Sequence, residues 1–166
     1  MATYFLDTSA IVKRYIVEPG RLLLLAICDP DQGHDLYISQ AALVETVATF
    51  CRKTHEKSIT TDKRDKLINA FRQDTHEGYG IRLVTTGMYT QAGNLCRSHR
   101  LRAYDAVQLA CALDLRNETR TQQAPVPIFV CADNNLLAIA SAEGLQVENP
   151  NNYPATEIVE SKTDEY

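Results

Sequence analysis

No apolar run in this chain approaches the ~18–20 residues that a membrane-spanning helix needs. Its five cysteines, Cys28, Cys51, Cys96, Cys111 and Cys131, include no Cys-x-x-Cys pair. An odd, scattered set in apolar or helical surroundings argues against a zinc site. It predicts buried free thiols in a reducing compartment. The opening Met-Ala-Thr-Tyr carries no charged leader and no secretory apolar region, which sets the expectation of a cytoplasmic protein. No Gly-x-Gly-x-x-Gly is present to cradle a dinucleotide. There is no internal repeat, and no linker divides the chain. A length of 166 residues, 45% of them hydrophobic, suits one domain with a real core.

A net charge of −4 also counts against nucleic acid as a partner, but the charge is unevenly spread. Glu157 to Tyr166 holds four acids and one lysine, and without that segment the rest of the chain stands at −1. The expectation is one domain over residues 1–154, followed by an acidic, disordered tail over 155–166. His34, His55, His76 and His99 lie in polar stretches and are expected at the surface.

What is present is a short apolar run, Tyr4 to Leu6, that stops at Asp7. Thr8 or Ser9 can cap the helix expected over Ala10 to Val17. A short apolar strand at the start suits the middle of a parallel sheet, and Asp7 then stands at its carboxyl end, where open α/β sheets bind their ligands. Further strands are expected at Leu36–Ile38, Ile81–Val84, Val126–Cys131 and Leu145–Val147. Helices are expected at Arg21–Cys28, Gln40–His55 with Ser39 as cap, Thr61–Glu77, Met88–Ser98 with Thr85 or Thr86 as cap, Ala103–Leu115 and Asn134–Ala142. Arg116 to Ala124 reads as a polar loop, and Gly144 as a helix stop. Alternating strands and helices imply an α/β fold, a parallel sheet with helices on both faces.

Three more acids stand out. Glu45 is the only charge between Ala41 and Cys51, at the edge of an apolar helix face. Asp105 opens a helix that is apolar nearly all round, Ala106 to Leu113. Asp133 follows a strand and precedes a helix, as Asp7 does. Each has a plain structural role open to it, as surface residue, helix-dipole partner or N-cap. Converging, however, four carboxylates are costly without a cation. An all-oxygen set points to Mg2+ or Mn2+, and such an ion serves phosphoryl chemistry.

Leu6-Asp7-Thr8-Ser9-Ala10, the helical Glu45, Leu101 to Ala110 around Asp105, and Phe129 to Asp133 through Leu137 together resemble a PIN domain, most nearly the VapC-type toxins of bacterial toxin–antitoxin pairs. The resemblance spans about Thr3 to Pro150. It implies a three-layer α/β/α fold around a five-stranded parallel sheet in the order 3-2-1-4-5. It implies a Mg2+- or Mn2+-dependent endoribonuclease whose catalytic, metal-holding acids are Asp7, Glu45, Asp105 and Asp133, supported by Ser9 and Thr8. Glu45 would hold the ion or position the attacking water, and the products would carry 5′-phosphate and 3′-hydroxyl ends. RNA would approach over Arg97, Arg100 and Arg102, with Arg52, Lys53 and Lys57 nearby. A cognate antitoxin and a homodimer are the expected protein partners. Ala132 departs from the threonine or serine that many relatives carry before the fourth acid, so weaker support is expected there. Two other functions compete. A non-catalytic module could keep the fold and bind a partner or RNA. A haloacid-dehalogenase-like phosphatase would want an acid at position 9, where Ser9 stands.

Overall fold

A computed structural model describes residues 1–157 of the chain. The elements follow as β1 (Thr3–Leu6), α1 (Thr8–Tyr15), α2 (Arg21–Ile27), β2 (Asp35–Ser39), α3 (Ala42–His55), α4 (Thr61–Glu77) and β3 (Gly80–Arg82). Then come α5 (Thr86–Ser98), α6 (Ala103–Thr121), β4 (Ile128–Val130), α7 (Asn134–Ala142) and β5 (Gln146–Glu148). Single helical turns lie at Pro30–Gln32 and Pro150–Asn152. All strand pairings are parallel, and the order β3-β2-β1-β4-β5 is the one expected.

The central strands β1 and β4 are largely buried, whereas the edge strands β3 and β5 are largely exposed. Side chains alternate between faces. Phe5 of β1 and its register partner Phe129 of β4 stack at 5.9 Å under α5, α6 and α7. Leu6, Ile38 and Val130 point the other way, beneath α1, α2, α3 and α4. These two apolar layers make the three-layer sandwich. Among the described residues no helix is long and apolar enough to cross a membrane.

Several local expectations shift. The N-cap of α1 is Asp7 itself, its Oδ2 accepting from Ser9 N at 3.0 Å, so the helix starts at Thr8 and that hydroxyl is free for other work. Thr85 caps α5, and Ser39 Oγ accepts from Ala42 N at 3.2 Å at the start of α3. β3 begins earlier than expected because Gly80 lies flat against the Tyr37 ring, leaving Leu83 exposed beyond the pairing.

The largest change is in α6, which runs on to Thr121 through the segment read as a loop. Leu115 and Thr119 stay buried one turn apart while the charges between them face solvent. Arg82 of β3 clamps the extension, with Asp114 and Glu118 both at 2.6 Å. Cys28, Cys111 and Cys131 are buried as expected, but Cys51 is half-buried and Cys96 exposed. His34 and His99 are half-buried rather than exposed, each holding a partner: Ala2 N and Glu143.

The segment after β5 packs as part of the domain. Tyr153 O accepts from Gly20 N at 2.8 Å, and Pro154 O accepts from Leu22 N at 3.3 Å. The expected disordered tail, from 155 on, lies almost wholly outside the described residues.

Candidate active site

In a parallel sheet every strand ends on the same edge. The chain moves outward from β1 to β2 and β3, then returns to β4 on the other side of β1. That reversal leaves a crevice at the carboxyl ends of β1 and β4. Asp7 follows β1 and Asp133 follows β4, so both stand at its mouth. Glu45 comes in from the first turn of α3 and Asp105 from the first turn of α6. All four line one open cleft of about 550 Å³, together with Thr8 and Ser9.

Asp7 is the most enclosed of them, 5% exposed. Burial pushes its carboxyl up to about 6, and the charges of Glu45 and Asp105 push the same way. Ser9 opposes this with two bonds to Oδ2, from its hydroxyl at 2.6 Å and its backbone N–H at 3.0 Å. The Ser9 hydroxyl also accepts from Ala132 N at 2.9 Å, tying the loop after β4 to the first acid.

Ala132 brings no side-chain support of its own, and Ser9 and Cys131 supply it instead. Cys131 Sγ lies 3.6 Å from Asp7 Oδ2 and accepts from Asp133 N at 3.3 Å. Burial, and then the charge of Asp7, push that thiol up, so it stays protonated and acts as a weak donor. Asp133 accepts from Leu136 N at 3.0 Å through Oδ1 and so caps α7.

Glu45 is fixed by a relay that sequence reading missed. Its Oε2 accepts from Thr8 Oγ1 at 2.9 Å and from Gln108 Nε2 at 2.8 Å. Gln108 is fully buried, also donates to Thr8 at 3.0 Å, and accepts from Ser39 Oγ at 2.7 Å. The signal was present: Gln108 is the one polar residue between Ala106 and Leu113. Asp105 is held by Arg102 Nε at 2.9 Å, and Arg102 stands on the rim with its side chain largely in solvent.

Of the expected RNA-binding residues, Arg102, Arg52 and Lys53 line the cleft, whereas Arg97, Arg100 and Lys57 lie outside it. Lys13 and Glu18 line it without having been foreseen. Its charged lining is five carboxylates and four cationic side chains.

The donor set fits a hard divalent cation: carboxylate oxygens, one of them raised by burial and then by its neighbours' charge. Among the described residues, no three acidic, cysteine or histidine side chains already form a closed metal-binding group.

Sheet and cleft together define an α/β protein that gathers four carboxylates at one sheet edge. The model of the PIN domain matches residues 4–120, and this chain belongs to the PIN domain family. That span holds Asp7, Glu45 and Asp105, while Asp133 lies beyond it. Among solved structures, the chain is similar to VapBC2 from Rickettsia felis bound to a DNA fragment from its promoter. That likeness has 17% identity and a TM-score of 0.55, covering 89% of this chain and 98% of the other. It is also similar to FitAcB from Neisseria gonorrhoeae, at 14% identity and a TM-score of 0.54, covering 89% and 97%. At these identities the likeness is one of fold. No curated protein matches the sequence.

Proposed function

We propose that this protein is an endoribonuclease that cleaves RNA phosphodiester bonds with Mg2+ or Mn2+, and that it is the toxin of a toxin–antitoxin pair. The observation that carries the reading is the convergence of Asp7, Glu45, Asp105 and Asp133, from four separate elements, on one cleft. PIN domains are in general nucleases, which supports it. Both structural neighbours are toxin–antitoxin complexes, which supports an antitoxin as partner.

The four carboxylates would hold the ion. When bound, such an ion supplies positive charge beside the phosphate and makes water a stronger acid. The protein supplies the orientation. Ser9 keeps Asp7 in one rotamer through two bonds to one oxygen. Thr8 and Gln108 occupy Glu45 Oε2, which leaves Oε1 to accept the proton of the attacking water. Arg102 aligns Asp105 through Nε and turns the rest of its guanidinium toward an RNA phosphate. Arg97 and Arg100 extend a basic path outside the cleft. The water oxygen bonds to phosphorus, the bond to the 3′ oxygen breaks and that oxygen takes a proton from solvent, giving 5′-phosphate and 3′-hydroxyl ends. Exposed apolar residues around α2, Val17 and Leu25, are offered as part of the antitoxin surface, and the active form is a homodimer in the cytoplasm.

The phosphatase alternative needs an acid two residues after Asp7. Ser9 fills that position and is bound to Asp7 itself. The test is cleavage of end-labelled RNA by the full chain, with Mg2+ or Mn2+ and with excess chelator. Cleavage in metal, none in chelator and none by an Asp105→Asn variant is the expected pattern. Undiminished cleavage in chelator would sink the metal mechanism. Hydrolysis of a simple phosphomonoester without action on RNA would favour the phosphatase. RNA binding without cleavage would identify an interaction module.

A further inference from the structure

Lys13 is a lysine where a helix normally buries an aliphatic residue. It follows Ala10, Ile11 and Val12 on α1, is 6% exposed, and lines the acid cleft. A buried ammonium needs partners for its N–H groups. Lys13 Nζ donates to Pro19 O at 2.8 Å and, at a long 3.4 Å, to Glu18 Oε1. An ammonium has three donors. Among the described residues these two acceptors are the ones it uses, so one N–H is left over on a group that borders the cleft.

The surroundings hold Lys13 in place. Glu18 is shared: its other oxygen meets Lys53 of α3 at 3.5 Å, and Lys53 lines the same cleft. Two ammonium groups around one carboxylate leave a local surplus of one positive charge. The turn carrying Pro19 O is rigid. Gly20 has φ +97° with Pro150 pressed against it, and Tyr153 O accepts from its N–H at 2.8 Å. Lys13 lies six residues beyond Asp7, about 9 Å along the helix axis at ~1.5 Å per residue. That offset sets it apart from Asp7 along α1, within the lining of the same cleft.

We propose that Lys13, preset by Glu18 and Pro19, binds the RNA backbone phosphate next to the one that is cleaved. This deepens the nuclease reading and rests on it. A compact ammonium recognises phosphate as a point charge, without reading sequence. Binding there helps to hold the strand over the acids that line the same cleft. The competing role is a clip that merely holds the α1–α2 turn.

The test is a Lys13→Gln variant of the full chain, which keeps a polar side chain of similar size but carries no charge. Binding of a labelled single-stranded RNA oligonucleotide is measured in chelator over a range of salt, with Lys66→Gln on exposed α4 as control. Each phosphate contact on a single strand contributes a slope of about 0.7 in log K against log salt. The Lys13→Gln slope should fall by about that amount, with low-salt affinity down several-fold. In metal, KM should rise far more than kcat falls. The control should keep the parent's slope. An unchanged slope in a folded Lys13→Gln variant overturns the proposal and leaves the clip. If that variant does not fold, Glu18→Gln decides: freeing the ammonium should steepen the slope, and an unchanged slope overturns it. Failure of the nuclease reading looks different, because the parent itself would then not cleave RNA.

Discussion

Replacing Asp7 by Asn should make the metal-free protein more stable. The ordinary carboxyl value is 3.8, and Asp7 in the fold is raised to about 6, chiefly by burial. Each pKa unit corresponds to ~1.4 kcal/mol, so keeping Asp7 ionised at neutral pH costs the fold about 3 kcal/mol. Asn resembles the neutral acid. Its carbonyl can accept both Ser9 donors, and its amide faces the charges of Glu45 and Asp105 without repulsion. Allowing for imperfect mimicry, the gain should be about 1–3 kcal/mol. At ~2–4 °C per kcal/mol for a domain of this size, that is a rise of several degrees in Tm.

The sign follows from proton counts. Between 3.8 and about 6 the folded state holds more proton on Asp7 than the unfolded state does. Stability from this group therefore falls as pH rises through that window and is flat above it. The advantage of Asp7→Asn should be full above pH ~6 and gone below pH ~4. Urea unfolding in chelator at pH 7.5 and pH 4.5, parent beside variant, measures the fall, which should leave about a third of the advantage at the lower pH. A cap role alone predicts no difference, since Asp and Asn cap equally well. A variant less stable than the parent at pH 7.5, or a difference independent of pH, would refute the reasoning. Mg2+ should offset most or all of that advantage, because a bound ion stabilises the parent by ~2.7 kcal/mol at a hundred times its Kd.

Three further outcomes follow from the packing. Gln108→Leu strands the Ser39 hydroxyl and removes one donor from Glu45, so it should cost ~1–3 kcal/mol and lower RNA cleavage well below what its Tm explains. Gly20→Ala would set a Cβ 2.7 Å from Pro150 at φ +97°, and should cost ~2 kcal/mol or more in urea unfolding. Leu24→Asp should unfold the protein because Leu24 is fully buried, whereas Leu25→Asp, 38% exposed, should leave Tm nearly unchanged and release a co-expressed antitoxin in co-purification. Retention of the antitoxin by Leu25→Asp would remove α2 from that interface.

The strand ends and the acids that follow them were legible because both are written locally, whereas the sheet order came from the family resemblance. A strand that stops at an acid and a helix that starts there need only adjacent residues, as at Leu6-Asp7-Thr8 and Cys131-Ala132-Asp133. The end of α6 was not legible, because polar Arg116 to Thr121 looks like a loop until Leu115 and Thr119 are seen to face the core. Arg97 and Arg100 sit close to Asp105 in sequence but outside the cleft, since a run of charge does not say which side of the chain it will occupy. Lys13 and Glu18 come together only through the α1–α2 turn, which the distant Pro150 and Tyr153 hold from behind.

The plain roles open to each acid do not compete with the proposed one. Asp7 and Asp133 are both N-caps, yet each uses a single oxygen for the backbone, Oδ2 toward Ser9 and Oδ1 toward Leu136. A carboxylate has a second oxygen to lend. Glu45 and Asp105 occupy first turns, so α1, α3, α6 and α7 all present their N-termini to the cleft. The positive end of a helix dipole stabilises a nearby anion by ~0.3–1 kcal/mol. Four such ends offset part of the mutual repulsion of four carboxylates, which is how the fold tolerates the cluster before any cation arrives. Capping and dipole complementarity are therefore the means by which the sheet edge gathers its acids. A Ser at position 7 would keep the cap and remove the charge, so it should retain the fold and lose the chemistry.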